Sequence, residues 1–205
     1  MSRAQFLLSI AATALALSCC AKVPAEQETI VAIRHGEKPA AGLGQLSCRG
    51  LNRALALPKI LNGRYGKANL IFAPDPAEKV SDGKQRYFYL RPLLTIGPTA
   101  IQLGLPVNVE IGYSHVSTLL DELTKKENEN AVIFVTWEHF ALNKLAQELL
   151  KKYNKDPSAV PDWPNDDFDR IYVFKIKKSS GKPEIEFRMD QENLDDSLSN
   201  ACPGQ

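Results

Sequence analysis

The chain has 205 residues, 44% of them hydrophobic and 24% charged, a balance that suits one globular domain with a sizeable core. Its formal net charge of +1 argues against a long nucleic-acid track and an acidic-membrane footprint. A small partner is expected, with no nucleic acid bound.

The first residues are a different material. Arg3 supplies a positive start, and the run from Phe6 to Leu17 is uncharged, apolar and too short to span a bilayer comfortably. Residues 1–21 therefore read as a secretory signal peptide, and the mature protein as exported to the periplasm or the extracellular space. Leu17-Ser18-Cys19-Cys20 is similar to a bacterial lipoprotein box. Lipidation at Cys19 or Cys20 and ordinary cleavage near Ala21 or Ala25 both stay open, and membrane attachment would run only through such a lipid. Cys48 and Cys202 are the two thiols well inside the mature chain, and in an oxidising compartment they are expected to pair as a disulfide. Neither a Cys-x-x-Cys nor a His/Cys ligand spacing is present, so no structural metal is expected.

The first strand is Thr29 to Ile33, an apolar β-type run that stops at Arg34-His35-Gly36-Glu37. A Gly- and Pro-containing loop follows, then a helix opened by Ser47, with Pro58 expected to kink or shorten it. Asn69 to Pro74 is a second buried-type strand, and the stretch through Ser81-Asp82-Gly83 reads as a polar loop. Arg91-Pro92 opens another helix, bent near Gly97-Pro98 and closed by Gly104 and Pro106. Ser114 to Lys126 reads as a helix, Ala131 to Thr136 as a third strand, and Leu142 to Tyr153 as the clearest amphipathic helix. Asp162 to Asp167 reads as a plain polar loop. Arg170 to Ile176 is the fourth strand, turning near Gly181-Lys182 into Glu184 to Phe187.

Strands alternating with helices imply an α/β three-layer sandwich, a mainly parallel doubly wound sheet with helices on both faces. The main domain is drawn over residues 26–188, with 189–205 as a polar acidic tail that is either disordered or tied down by Cys202. In such sheets ligands bind beyond the carboxyl ends of the strands. Two of the three histidines sit there, His35 after the first strand and His139 after the third.

These residues resemble the histidine phosphatase, or phosphoglycerate-mutase-like, superfamily. Arg34-His35-Gly36-Glu37 is similar to its Arg-His-Gly signature at the end of the first strand. Leu46-Ser47-Cys48-Arg49-Gly50-Leu51-Asn52-Arg53-Ala54 is similar to its Leu-Thr-x-x-Gly-x-x-Gln-Ala segment, with Arg53 where Gln is usual. Arg91 to Ile96 is similar to its Arg-Ala-x-x-Thr-Ala pattern, and Glu138-His139 stands where a second histidine is expected. The likeness runs in order from Thr29 to Tyr153.

The resemblance implies a phosphoric monoester hydrolase, akin to the histidine acid phosphatases, that acts on a small phosphate ester without metal or other cofactor, and the N-terminal segment makes it an exported one. His35 would be the nucleophile that becomes phosphohistidine, and Arg34, Arg91 and His139 would hold the phosphoryl oxygens. The proton donor is open among Glu138, Glu110 and Glu37, with Glu138 preferred; Glu37 and Lys38 would otherwise orient or attract the substrate. The competing reading is a non-catalytic envelope protein or lipoprotein that retains the pocket for anion binding. Substrate identity and oligomeric state are not legible.

Overall fold

A computed structural model describes residues 27–177 and 182–204. The segment read as a signal peptide, with Cys19 and Cys20, and Gly181 of the expected turn lie outside the described residues. In chain order the elements are β1 (Gln27–Arg34), α1 (Cys48–Tyr65), β2 (Leu70–Phe72), β3 (Lys79–Asp82), β4 (Gln85–Phe88) and α2 (Arg91–Leu103). There follow α3 (Val116–Leu123), β5 (Val132–Trp137), α4 (His139–Lys152), β6 (Arg170–Lys177) and β7 (Glu184–Gln191).

The apolar run of β1 is unbroken because its two faces serve two cores. Ile30 and Ala32 pack with Leu119 of α3 and Leu142, Leu145 and Leu149 of α4. Val31 and Ile33 pack on the opposite side with Leu57 and Leu61 of α1 and Ile96 and Ala100 of α2. A strand covered on both faces has no solvent side on which to alternate polar residues. The result is a three-layer α/β sandwich.

The main sheet has the order β2-β5-β1-β6-β7. β2, β5 and β1 are parallel, β6 is antiparallel to β1, and β7 is antiparallel to β6. Only β6 is therefore reversed, and the sheet is mixed but mainly parallel. Arg34 stands opposite Trp137, which brings the ends of β1 and β5 level at one edge.

Several local expectations need correcting. Pro58 lies inside α1 and does not shorten it, since the helix continues through buried Leu61 to Tyr65. Pro98 lies within α2, and Gly104 caps that helix as expected. The third helix is shorter than its apolar period suggested, because the Asn128 amide donates to the carbonyls of Glu122 (2.8 Å) and Leu123 (3.3 Å) and ends it. The stretch after Pro76 is no simple loop: β3 and β4 pair as a separate two-stranded sheet that turns at Gly83-Lys84. β7 continues past residue 188 to Gln191, and Leu194 beyond it is buried beside α1. The tail is fastened to α1 by the Cys48–Cys202 disulfide, Cα atoms 4.5 Å apart, and by Asn52, whose amide donates to the Ser199 and Ala201 carbonyls.

Candidate active site

Backbone hydrogen bonds bring three separate segments to the shared strand edge. The His35 amide donates to the Trp137 carbonyl (3.0 Å), so β1 and β5 stay paired one residue past Arg34. The Gly36 amide donates to Thr95 Oγ1 (2.9 Å), and that hydroxyl donates to the Arg91 carbonyl one turn earlier in α2 (2.8 Å). Gly36 also packs on Gly50 of α1; a Cβ on Gly36 would lie 3.0 Å from the Gly50 carbonyl oxygen. Arg34, His35, Arg91 and His139 thus gather under cover, only 5%, 3%, 5% and 5% exposed.

The His35 ring makes one defining bond. Its Nδ1 lies 2.8 Å from the Gly36 carbonyl oxygen, which can only accept, so Nδ1 carries the hydrogen and Nε2 keeps the lone pair. Burial, with Arg91 and Arg34 nearby, holds the ring's pKa down to about 3 against the opposing pull of Gly36 and Glu138. At neutral pH this imidazole is uncharged and nucleophilic. Tyr89 meets it edge-on, with ring centroids 6.0 Å apart, and Phe168 lies 6.2 Å away.

Arg34 lies against the Phe168 ring, Cζ 3.9 Å from its centroid, and one terminal nitrogen donates to the carbonyls of Asn165 (2.8 Å) and Asp167 (3.0 Å). Burial lowers its pKa to about 10, partly offset by Glu138, so it remains a cation. Arg91 is bonded to Asp82 at the end of β3 and sits 5.0 Å over Tyr89. The Nε atoms of Arg34 and Arg91 are both buried, and no acceptor reaches either among the described residues. Buried donors left unmet are costly, and phosphoryl oxygens are the acceptors that suit guanidinium N–H groups.

His139 Nε2 lies 2.8 Å from Asn165 Oδ1, and Nδ1 is 2.6 Å from Glu138 Oε1, at an angle outside hydrogen-bond geometry. Glu138 caps α4 by accepting from the Ala141 amide (2.9 Å). Burial pushes its carboxyl up, but His139 and the Phe140 and Ala141 amides outweigh that and hold it below the usual range. It rests as a carboxylate.

The other sequence candidates stand elsewhere. Glu37 turns away from His35 and accepts from Arg49 (3.0 Å) and twice from Arg53 (2.8 and 3.0 Å). Lys38 pairs with Asp82 (2.8 Å). Glu110 is exposed, its amide bonded to Asn108 Oδ1. Among the described residues no group of three or more His, Cys, Asp or Glu side chains is placed to hold a metal ion.

Sequence reasoning missed Asp82, Tyr89, Asn165 and Phe168, and had Thr95 only as the Thr of the Arg91 to Ile96 pattern. Asp82 had a signal, a Gly-containing two-residue turn between Val80 and Tyr87, which read as strands would have marked a hairpin. Asn165 and Phe168 had none, because they reach the site from a loop that no periodicity describes.

No protein-family model and no curated protein matches the sequence. Solved structures do. The putative phosphohistidine phosphatase SixA from Nakamurella multipartitia is 15% identical, the match covers 82% of this chain and 98% of that one, and the TM-score is 0.57. The mycobacterial glucosyl-3-phosphoglycerate phosphatase is 16% identical over 81% and 98% of the two chains, with a TM-score of 0.50. The chain shares the fold of these two structures. In this fold Arg34, His35 and His139 lie at the paired ends of β1 and β5, Arg91 is near His35, and Glu138 is next to His139.

Proposed function

We propose that this protein is an exported, metal-independent phosphohydrolase that acts on a small phosphate ester through a phosphohistidine at His35. The observation that carries it is the neutral His35 ring, its tautomer set by Gly36, beside two buried arginines that each keep an unmet N–H. Both similar structures named above are phosphatases by name. Export accords with the Cys48–Cys202 bond, which persists in an oxidising compartment.

In the first half-reaction His35 Nε2 forms the N–P bond as the ester P–O bond breaks, and the leaving oxygen takes up a proton. In the second, water attacks phosphorus, the N–P bond breaks, and phosphate leaves with the imidazole neutral again. Glu138 rests ionised, but a phosphoryl group bound next to it adds negative charge and raises its proton affinity. A proton taken up on binding can pass to the leaving oxygen and return from the attacking water.

A second reading, anion binding without turnover, is favoured by the resting ionisation of Glu138 and by the Arg91–Asp82 contact. Hydrolysis of p-nitrophenyl phosphate by the full chain in the presence of chelator, with trapping of labelled His35, separates the two. The hydrolase reading expects turnover that His35→Ala reduces by roughly a thousandfold or more. Phosphate binding with no turnover of any phosphoester and no labelled His35 would establish the second reading instead.

A further inference from the structure

Donors placed to meet a phosphoryl group already meet oxygens of the protein itself, and two segments supply them. The loop after α4 sets the Asn165 and Asp167 carbonyls on Arg34 and the Asn165 side chain on His139. The β3–β4 hairpin sets Asp82 on Arg91. Of these contacts only the second brings a full negative charge.

That carboxylate is built in. Its side chain is 1% exposed, Lys38 Nζ lies 2.8 Å from Oδ1, and the Gly44 amide donates to Oδ2 at 3.3 Å. Gly42, at φ +80°, packs so closely that a Cβ there would overlap the carboxylate. The loop that follows His35 therefore grips Asp82 from one side while Arg91 holds it from the other. A desolvated, charge-assisted pair of this kind competes with any other anion for the same guanidinium.

We propose that Asp82 sets the phosphate affinity of the site by occupying, on Arg91, the place of a phosphoryl oxygen. A phosphoryl group binds by exchange: Arg91 passes from Asp82 to the substrate, and Asp82 is left to Lys38 and the Gly44 amide. The hairpin is thus an internal competitor, and Lys38 favours the exchange by stabilising the displaced carboxylate. This inference rests on the phosphohydrolase reading only for placing the phosphoryl group beside Arg91.

Calorimetric titration of the full chain with inorganic phosphate tests it, using wild type, Asp82→Asn, Lys38→Gln and the double variant. Asp82→Asn keeps the side chain's size and a carbonyl oxygen for Gly44 while removing the charge, and should bind phosphate roughly ten- to a hundredfold more tightly. Lys38→Gln alone should weaken binding several-fold, and in the Asp82→Asn background, where no displaced carboxylate is left for it to hold, its effect should be much smaller. Phosphate bound equally or more weakly by Asp82→Asn would overturn the proposal, because Asp82 would then be orienting Arg91 and not competing for it. Should that variant fail to fold, unaltered binding by Lys38→Gln would overturn it as well. No phosphate binding by wild type or variant would overturn the phosphohydrolase reading together with this one, so the two failures are distinct.

Discussion

Replacing Arg53 with Gln, the residue usual at that place in the segment it resembles, should cost about 3–5 kcal/mol of stability. The Arg53 side chain is completely buried and touches four carboxylates: Glu37, Asp169, Glu192 and Asp195. Multiplying one buried-pair cost by four would overshoot. The Asp195 side chain is half exposed and loses little to solvent. Asp169 keeps the amides of Asn193 and Leu194, both at 2.8 Å, and Glu37 keeps Arg49. Glu192 is the group left stranded, fully buried and with Oε1 already unmet.

Glu192 has one escape, which gives the prediction a pH signature. Burial pushes its carboxyl up from 4.5 to about 8 against the pull of Arg53. In wild type, stability from this group is present below 4.5 and is lost as pH rises towards 8, because the unfolded chain ionises first. Without Arg53 the folded carboxyl holds its proton still longer, so the loss continues above 8. Urea unfolding of both chains at pH 6.5 and pH 9 should show a larger difference at the higher pH. Adding Glu192→Gln should remove that pH dependence. A cost below about 1 kcal/mol at both pH values would refute the account of Arg53 as the neutralising centre of this network.

Gly50→Ala should destabilise the protein by roughly 1–3 kcal/mol, because the new methyl would overlap the Glu37 backbone and push α1 away from the loop that carries His35; phosphoester turnover should fall at least about tenfold. Urea titration and steady-state kinetics check the two effects, and a variant that matches wild type in both would contradict the close approach. Cys202→Ser, or reduction of wild type, should cost about 2–4 kcal/mol and free the residues after Leu194, seen as a lower melting temperature and faster proteolysis of the tail.

The layered fold was legible because a strand buried on both faces must be apolar throughout, and Val31 to Ile33, Ile133 to Val135 and Ile171 to Phe174 all are. His35 and His139 were legible as a pair because each follows such a run. The reversal of β6 was not: a doubly buried strand has the same composition whichever way it points. Arg53 was visible as a departure from the usual Gln, yet nothing local announced its partners, three of which lie 116 to 142 residues away. Charges that find each other only in the tertiary structure leave no periodicity to read.

The same limit hid Asp82, and here it alters the chemistry. Taken by themselves, Arg34, Arg91 and Lys38 would make a cationic pocket. In the fold Asp82 offsets one of the two charges on Arg91 and Lys38, and Glu138 offsets Arg34, so the positive field felt by a distant anion is cut to a fraction of what the three cations alone would give. Attraction at long range is therefore weak, and affinity has to come from short-range exchange once a phosphoryl group touches Arg91. An enzyme steered by charge would lose association rate steeply as salt rises. Phosphate binding by this protein should depend only weakly on salt in wild type and more steeply in Asp82→Asn, where one more positive charge is uncovered; stopped-flow phosphate binding between about 20 and about 300 mM salt would show whether that contrast exists.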